Sequence, residues 1–387
     1  MHRLLLLSLF AACVDGGPEG PGGFSRTTRM ELPLPPTNEL DILIVVDNSP
    51  AMGSHGARVA TAGTVLGDVL QTLQGGVPDL RVGVVTTDLG TRGGAVIGVT
   101  GQGGCSTNGD MGLLTTSGAP VTGAFLSDAP QRDGSRTRNY TGGLSQAIAK
   151  MMDVGSGGCA YVEPLEAAKR ALATNAGFVR ERAHLMFLVV TANDDCSFMS
   201  SDFLAGASTA DTSRCQTNAA GLTSVESYAQ ALKALKSDPG KVLVASLDGE
   251  WPGNPGCTVA PAPRLRSFLM QFPNRNGYGA FCGAADNAFG VLALLPKRTL
   301  GIPCWPVPLA DLDPIAPGLQ AECAAELQTP DVTIVIGRCS PGSTEPCYSI
   351  VEEAGCDGSG LTTQLEHIDV FRGSNGKAVI ECVAEEP

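Results

Sequence analysis

Residues 39–52 read ELDILIVVDNSPAM and decide the fold of the chain. The run from Ile42 to Val46 is an unbroken series of β-branched residues and Leu, typical of a strand buried on both faces of a parallel sheet. Polar residues and then Pro50 follow at once, which ends the strand and starts a turn. In open α/β sheets, polar side chains at the end of a buried strand form the binding crevice. Asp47 and Ser49 occupy this position. We therefore expect a crevice at this position.

The segments that follow alternate between helical and strand patterns. Residues 57–74 place apolar side chains at helical spacing, and residues 80–86 (LRVGVVT) have the pattern of the next strand. A fully apolar run at 185–190 and a largely apolar run at 242–247 predict two further buried strands. Strands that alternate with helices indicate an α/β fold, and we predict a doubly wound, mostly parallel sheet.

The N-terminus has the features of an export signal. Arg3 precedes the apolar run 4–12, which is too short to span a bilayer. The run LFAAC, ending at Cys13, resembles the lipobox of bacterial lipoproteins, which implies cleavage before Cys13 and lipid attachment to it. The alternative is an ordinary secretory signal cut after a small residue. The lipoprotein interpretation implies a membrane-anchored protein of the bacterial cell envelope, at the periplasmic face of the outer membrane or the cell surface.

Composition shifts divide the chain into successive regions. Short alternating runs near the C-terminus have period two and are interspersed with cysteines, which predicts a small disulfide-stapled antiparallel β extension. The predicted regions are a signal peptide at 1–12, the lipidated Cys with a flexible tether at 13–37, the α/β domain at 38–300 with a long insertion at 89–138, and a Pro- and Cys-rich β appendage at 301–387.

Charge and cysteine usage exclude some classes of function. The net charge of −13 and the lack of any basic run argue against a nucleic-acid partner, because phosphate binding needs clustered Lys and Arg. Of the 13 cysteines, Cys13 belongs to the predicted lipidation site, and the others are even in number. None shows CxxC spacing, and the chain has the features of an exported protein. We therefore expect disulfides rather than metal binding. From nearness along the chain we predict the pairs Cys196–Cys215, Cys257–Cys282 and Cys304–Cys323.

The residues after the first strand resemble a known motif. DNSPA, residues 47–51, resembles the D-x-S-x-S motif of von Willebrand factor type A (VWA) domains, as found in exported bacterial lipoproteins. The resemblance covers roughly residues 38–295. In that family the Asp, both Ser hydroxyls, a Thr from a second loop and an Asp after a later strand hold Mg²⁺ at the metal-ion-dependent adhesion site. Hard oxygen ligands suit this ion, and an open coordination position can take a partner's carboxylate.

The motif is degenerate in this chain. Ala51 stands where the family has the second Ser, and Ala192 stands where it has the later Asp. The resemblance implies Asp47, Ser49 and Asp194 as the candidate metal ligands, with Asp195 as an alternative to Asp194. Thr141 and Glu163 are candidates for the remaining ligand only because they are polar residues of intervening loops. The bound ion would be Mg²⁺, or Ca²⁺, which tolerates irregular oxygen sites.

We favour a non-enzymatic, protein-binding or adhesion function for this domain. The sequence contains no G-x-S-x-G elbow, H-E-x-x-H or P-loop, and nothing is positioned to activate a nucleophile. We expect the loops to recognise an unidentified protein partner without a metal ion, with metal-bridged recognition as the alternative. A structural envelope scaffold and a hydrolase that uses Asp47 are the competing hypotheses.

Overall fold

The computed structural model describes residues 26–34, 39–73, 77–131, 135–175, 177–249, 259–282, 289–290, 292, 295–296, 300, 304–352, 356, 359–368 and 376–385. The chain forms two compact units, one of residues 36–302 and one that combines residues 1–35 with 303–387. The predicted signal peptide, Cys13 and Cys257 lie outside the described residues, so the lipid anchor and the Cys257–Cys282 pair stay predictions.

The described residues of the 36–302 unit contain seven strands and six helices. They are β2 (Glu39–Val46), α1 (Gly56–Gln71), β3 (Asp79–Thr86), β4 (Leu126–Pro130), β5 (Arg136–Arg138), α2 (Leu144–Met151), α3 (Pro164–Thr174), β6 (His184–Val190), α4 (Ser213–Thr217), α5 (Val225–Lys233), β7 (Val242–Asp248), α6 (Pro263–Leu269) and β8 (Asn276–Ala280).

Strand β2 is the centre of a seven-stranded sheet with the order β5-β4-β3-β2-β6-β7-β8. The pairs β2–β3, β2–β6, β6–β7 and β7–β8 are parallel. The pairs β3–β4 and β4–β5 are antiparallel, so residues within the predicted insertion extend the sheet at one edge. The unit is therefore mixed α/β, and its parallel pairs bring the carboxyl ends of β2, β3, β6 and β7 to one edge of the sheet.

Alternate residues of β2 contribute to two hydrophobic clusters. Ile42 and Ile44 pack in a cluster with residues of α1 and α2. Leu43 and Val45 pack in a second cluster with residues of α3, α5 and α6. Because successive strand side chains point to opposite faces, burial of both faces requires the continuous apolar run in the sequence.

The strands of the second unit are β1 (Thr27–Leu34), β9 (Cys323–Gln328), β10 (Thr333–Arg338), β11 (Cys347–Glu352), β12 (Leu361–Glu366) and β13 (Gly376–Val383). They form a six-stranded sheet with the order β1-β13-β9-β10-β11-β12. The prediction of an antiparallel extension is confirmed for four strand pairs, but β10 and β11 pair in parallel. A disulfide between Cys339 and Cys347 joins the end of β10 to the start of β11.

The predicted tether at 13–37 is wrong over residues 27–34. These residues form β1, which pairs antiparallel with β13 along its whole length. Met30 and Leu32 are buried in a cluster that includes Trp305, because alternate residues of β1 face this core. The N-terminal segment is thus an integral edge strand of a sheet whose other strands follow residue 322.

Five disulfides join described cysteines. Cys196 pairs with Cys215, as nearness along the chain predicted. The predicted Cys304–Cys323 pair is wrong: the bonds are Cys304–Cys356 and Cys323–Cys382. The reason is sheet register, since Cys323 on β9 lies directly opposite Cys382 on β13. The remaining bonds are Cys339–Cys347 and Cys105–Cys159.

Candidate functional site

Asp47 follows β2 and is fully buried. Its Oδ1 accepts a hydrogen bond from the Ser49 N–H at 2.7 Å, while Oδ2 accepts from Thr191 Oγ1 at 3.0 Å and from the Ala192 N–H at 3.1 Å. Burial raises the pKa of the carboxyl, and the hydrogen bonds oppose that shift. Asp47 therefore links the carboxyl end of β2 to that of β6 and satisfies buried donors there.

Ser49 lies beside this carboxylate, as the sequence predicted. Its hydroxyl lies close enough to the carboxylate to lower the Asp47 pKa. Ala51 is exposed and has no hydroxyl, and Ala192 contributes only its backbone N–H. Of the ligand set implied by the resemblance, Asp47 and Ser49 are thus the only side-chain oxygens that the described residues bring together. The complete Mg²⁺ set does not fit these residues.

Asp194 and Asp195 bind the N-termini of two helices instead of completing a metal site. Asp194 accepts hydrogen bonds from the backbone N–H groups of Arg264 and Leu265, at 3.0–3.1 Å, at the start of α6. Asp195 accepts from the Leu165 N–H at the start of α3 and pairs with the Arg264 guanidinium at 3.0 Å. A carboxylate at a helix N-terminus satisfies N–H groups that the helix leaves unpaired. These contacts do not support Asp194 as a metal ligand.

Thr141 and Glu163, the two candidates for the remaining metal ligand, make other contacts. Thr141 is exposed, and its backbone N–H donates to Pro120 O. Glu163 is fully buried and pairs with Arg92 at 3.2 Å, while burial holds the pKa of its carboxyl well above the usual range. Among the described residues, neither side chain is hydrogen-bonded to Asp47 or Ser49.

Only one group of three metal-type side chains lies close together in the described part of the chain. It consists of Cys339, Cys347 and Glu366. Because the two cysteines are bonded to each other, their sulfurs are not thiolate ligands. This group therefore does not form a metal centre while the disulfide is intact.

An open cleft of about 630 Å³ lies at the ends of β2 and β3, and the sequence did not reveal its composition. We call it the acidic cleft and define it by the lining residues Asn48, Thr86, Asp88, Asp110, Met111 and Leu113. Asp110 comes from the predicted insertion and accepts hydrogen bonds from Thr86 Oγ1 at 2.6 Å and from Asn48 Nδ2 at 3.3 Å. The insertion therefore forms one wall of the binding edge.

Asp88 is held in this cleft by uncharged donors. Its Oδ1 accepts from the Gly90 N–H at 2.8 Å and its Oδ2 from the Cys159 N–H at 3.0 Å. Burial raises the pKa of the Asp88 carboxyl, and the nearby charge of Asp110 raises it further. Gly109 contacts Asp88 with φ 56°, where a Cβ would collide with the carboxylate, so this approach requires glycine. Asp88 follows the predicted strand 80–86, so its place at this edge of the sheet could be expected from the sequence. Asp110 lies within the predicted insertion, and no sequence pattern predicts its place in the cleft.

None of the helices in the described residues has the length and apolar character needed to cross a bilayer. No family model matches the chain, and no curated protein matches its sequence.

Some solved structures show a distant likeness. Proximal thread matrix protein 1 from the mussel byssus, with a zinc occupied MIDAS motif, has a TM-score of 0.33 and 11% identity, covering 69% of this chain and 48% of that chain. The pilus adhesin SpaC from Lactobacillus rhamnosus GG, in the open conformation, has a TM-score of 0.37 and 12% identity, covering 89% and 38%. A von Willebrand factor type A structure from Catenulispora acidiphila has a TM-score of 0.32 and 12% identity, covering 95% and 67%.

This chain spans about half the length of the mussel protein and less of the adhesin. TM-scores of this size do not establish a shared fold.

Proposed function

We propose that the 36–302 unit is a VWA-like, doubly wound domain whose strand-end loops bind a protein partner without a metal ion. The observation that carries the proposal is the acidic cleft, which opens at the carboxyl ends of β2 and β3. In open α/β sheets this edge is where ligands bind. The cleft is rimmed by exposed apolar side chains, including Met111 and Leu113, which favour contact with another protein.

The metal-free form is supported by the contacts of the degenerate motif. The carboxylates of Asp194 and Asp195 are engaged at helix N-termini, and Ala51 supplies no ligand. Recognition by side chains of the loops themselves needs none of the missing ligands.

A hydrolase that uses Asp47 is disfavoured by its surroundings. The carboxylate is fully buried, and its two oxygens accept three hydrogen bonds from Ser49, Thr191 and Ala192. A nucleophile must reach its substrate and be activated by a nearby base. We therefore propose a binding function and not catalysis.

The cellular setting is part of the proposal. Export, lipid attachment at Cys13 and anchoring in the bacterial envelope rest on the sequence of the first 13 residues. The disulfides of both units agree with an oxidising compartment. A structural scaffold in the same envelope is the alternative function.

A capture experiment tests the binding proposal. The full chain is immobilised and exposed to envelope extract in Mg²⁺ or in EDTA, beside a Leu113→Lys variant and an Ile315→Lys control. Both residues are exposed and apolar, but Ile315 belongs to the other unit. We expect one specific partner that is retained in EDTA and by Ile315→Lys, and lost by Leu113→Lys. Loss in EDTA would indicate metal-bridged binding, and absence of any partner sensitive to Leu113→Lys would favour the scaffold.

A further inference from the structure

The acidic cleft carries negative charge that no described cation balances. The donors to Asp88 are the N–H groups of Gly90 and Cys159, and the donors to Asp110 are Thr86 and Asn48, all uncharged. None of the ion pairs among the described residues includes either carboxylate. Asp110 is also exposed, so its charge is available to a partner. An acidic concave surface attracts cationic groups and steers them to itself.

Asn48 contributes a polar side chain to the floor of the cleft. The residue is only 7% exposed, and its Nδ2 donates to the Asp110 carboxylate. This contact fixes the orientation of the amide, since the opposite orientation would place two acceptors together. Its Oδ1 is buried and accepts no hydrogen bond from a described residue. Asn48 and Thr86 thus hold the Asp110 carboxylate at a fixed position in the cleft without neutralising its charge.

The rim of the cleft is apolar. Met111 is 48% exposed and Leu113 is 50% exposed, and Leu114 and Val154 also line the cleft. An exposed apolar rim around a charged floor matches the two parts of a Lys or Arg side chain, which buries an alkyl stem and presents a charged head.

A basic side chain fits this geometry better than a metal ion does. Ca²⁺ requires several oxygens that converge to about 2.3–2.6 Å, whereas the cleft is open and about 630 Å³ in volume. The Asn48 amide also directs its N–H₂ group at Asp110 Oδ2, the carboxylate oxygen that a cation would need to share. A guanidinium or ammonium group can donate hydrogen bonds to the other Asp110 oxygen, and these bonds are longer than the bond between a metal ion and its ligand.

We propose that the acidic cleft is a specificity pocket for an Arg or Lys side chain of the partner protein. The charged head lies between Asp88 and Asp110, and the alkyl stem lies along Met111 and Leu113. The inference rests on the proposed function, because it names the partner's chemistry at the same surface. In the family that the sequence resembles, the partner supplies a carboxylate to a metal ion. In this proposal the partner supplies a cation to carboxylates of the protein.

A titration of the full chain with two small probes tests the pocket. The probes are N-acetylarginine methylamide and N-acetylnorleucine methylamide, which share an apolar stem but differ in charge. The readout is the ¹³C-methyl resonance of Met111, assigned through Met111→Leu. We expect the arginine probe to shift this resonance with millimolar affinity, the order of a few kcal/mol expected for one side chain, and the norleucine probe to bind at least tenfold more weakly.

Variants of the cleft provide the control. Asp110→Asn is expected to weaken the arginine probe at least tenfold, while Asp331→Asn, an exposed aspartate of the other unit, leaves it unchanged. Leu113→Lys supplies a competing cation and is expected to abolish the response even if Asp110→Asn fails to fold. Equal binding of both probes, an unaltered response in Leu113→Lys, or micromolar Ca²⁺ binding that displaces the arginine probe would each overturn the proposal.

The outcome separates this inference from the proposed function. A partner lost by Leu113→Lys together with no arginine response means that the surface binds protein but that the pocket assignment is wrong. An arginine response without any captured partner means that the pocket exists while the binding function fails.

Discussion

At the scale of single residues, Asp47 and Asp194 differ in what their carboxylates satisfy. Asp47 accepts hydrogen bonds from backbone N–H groups that follow β2 and β6, and it lies next to the hydroxyl of Ser49. Asp194 accepts from the first N–H groups of α6. Both are aspartates in the loop that follows a buried strand, so the sequence could not separate a candidate ligand from a helix-capping group.

The capping role of Asp194 leads to a first prediction. Asp194→Ala leaves the N–H groups of Arg264 and Leu265 without their acceptor and is expected to lower the free energy of unfolding by about 1 kcal/mol. The measurement is urea unfolding in Mg²⁺ and in EDTA, and the loss should be equal in both. A loss seen only in Mg²⁺ would restore Asp194 as a metal ligand.

Asp248, at the end of β7, leads to a second prediction about pH. Burial raises its pKa to about 7, and Ser246 Oγ donates to its Oδ2 at 2.6 Å. The unfolded value is near 3.9, so the folded state binds more protons between these values. Its contribution to stability is present below the unfolded pKa and is lost as pH rises through the folded pKa.

Asp248→Asn removes this titration. Relative to wild type, the variant should gain about 2 kcal/mol of unfolding free energy between about pH 5 and about pH 7, since one pH unit corresponds to about 1.4 kcal/mol. Urea unfolding at several pH values measures the difference. A difference that stays constant with pH would contradict the assignment.

At the scale of elements, α1 and α2 pack at glycine. A Cβ on Gly63 would lie 2.6 Å from Ala149 Cα and 2.9 Å from Ala149 N, and a Cβ on Gly67 would collide with Ser145 Cα. The two glycines are four residues apart and so share one face of α1. Close packing of these helices requires the absence of a side chain there.

A third prediction tests this contact. Gly63→Ala should destabilise the protein by about 1–3 kcal/mol, because the clash is with backbone atoms and forces the helices apart. Gly56→Ala is the matched control at the start of the same helix, where no atom lies within 4 Å. It should be neutral or stabilising, since Ala favours helix over Gly. Thermal unfolding of both variants measures the contrast, and equal effects would refute the packing argument.

The elements that could be predicted are those whose sequence reflects burial on both faces. The central runs of β2, β6 and β7 are almost entirely apolar because helices cover both sides of the sheet. Strand β8, with the sequence NGYGA, has no such signature and pairs with β7 through its backbone. Strand β1 lies in a segment whose composition resembles a linker. These elements depend on a partner strand distant in sequence, which local pattern does not encode.

At the scale of the whole molecule, one edge strand of the six-stranded sheet comes from the opposite end of the chain to the other strands. β1 lies beside β13, and Leu32 is 6% exposed in the core with Trp305. A tether would tolerate any substitution in this segment, whereas an edge strand would not.

A fourth prediction distinguishes these cases. Leu32→Ala should lower the stability of this unit by about 2–5 kcal/mol, as for other buried Leu positions. Glu31→Ala is the control on the opposite face, where an exposed ion pair with Lys377 contributes little to stability. Limited proteolysis and thermal unfolding measure both variants. A stable Leu32→Ala protein would mean that β1 contributes little to the fold.

The sequence by itself determined the central strand, the alternation of helices and strands, and the placement of Asp47 and Ser49 at a strand end. These features follow from local burial patterns and from residues that terminate strands. Only the tertiary structure decided the partner of Cys323, the role of Asp194, and the meeting of Asp88 with Asp110 and Asn48 in one cleft. Each of these depends on contacts between segments far apart in the chain, where sheet register and loop closure, and not local propensity, set which side chains meet.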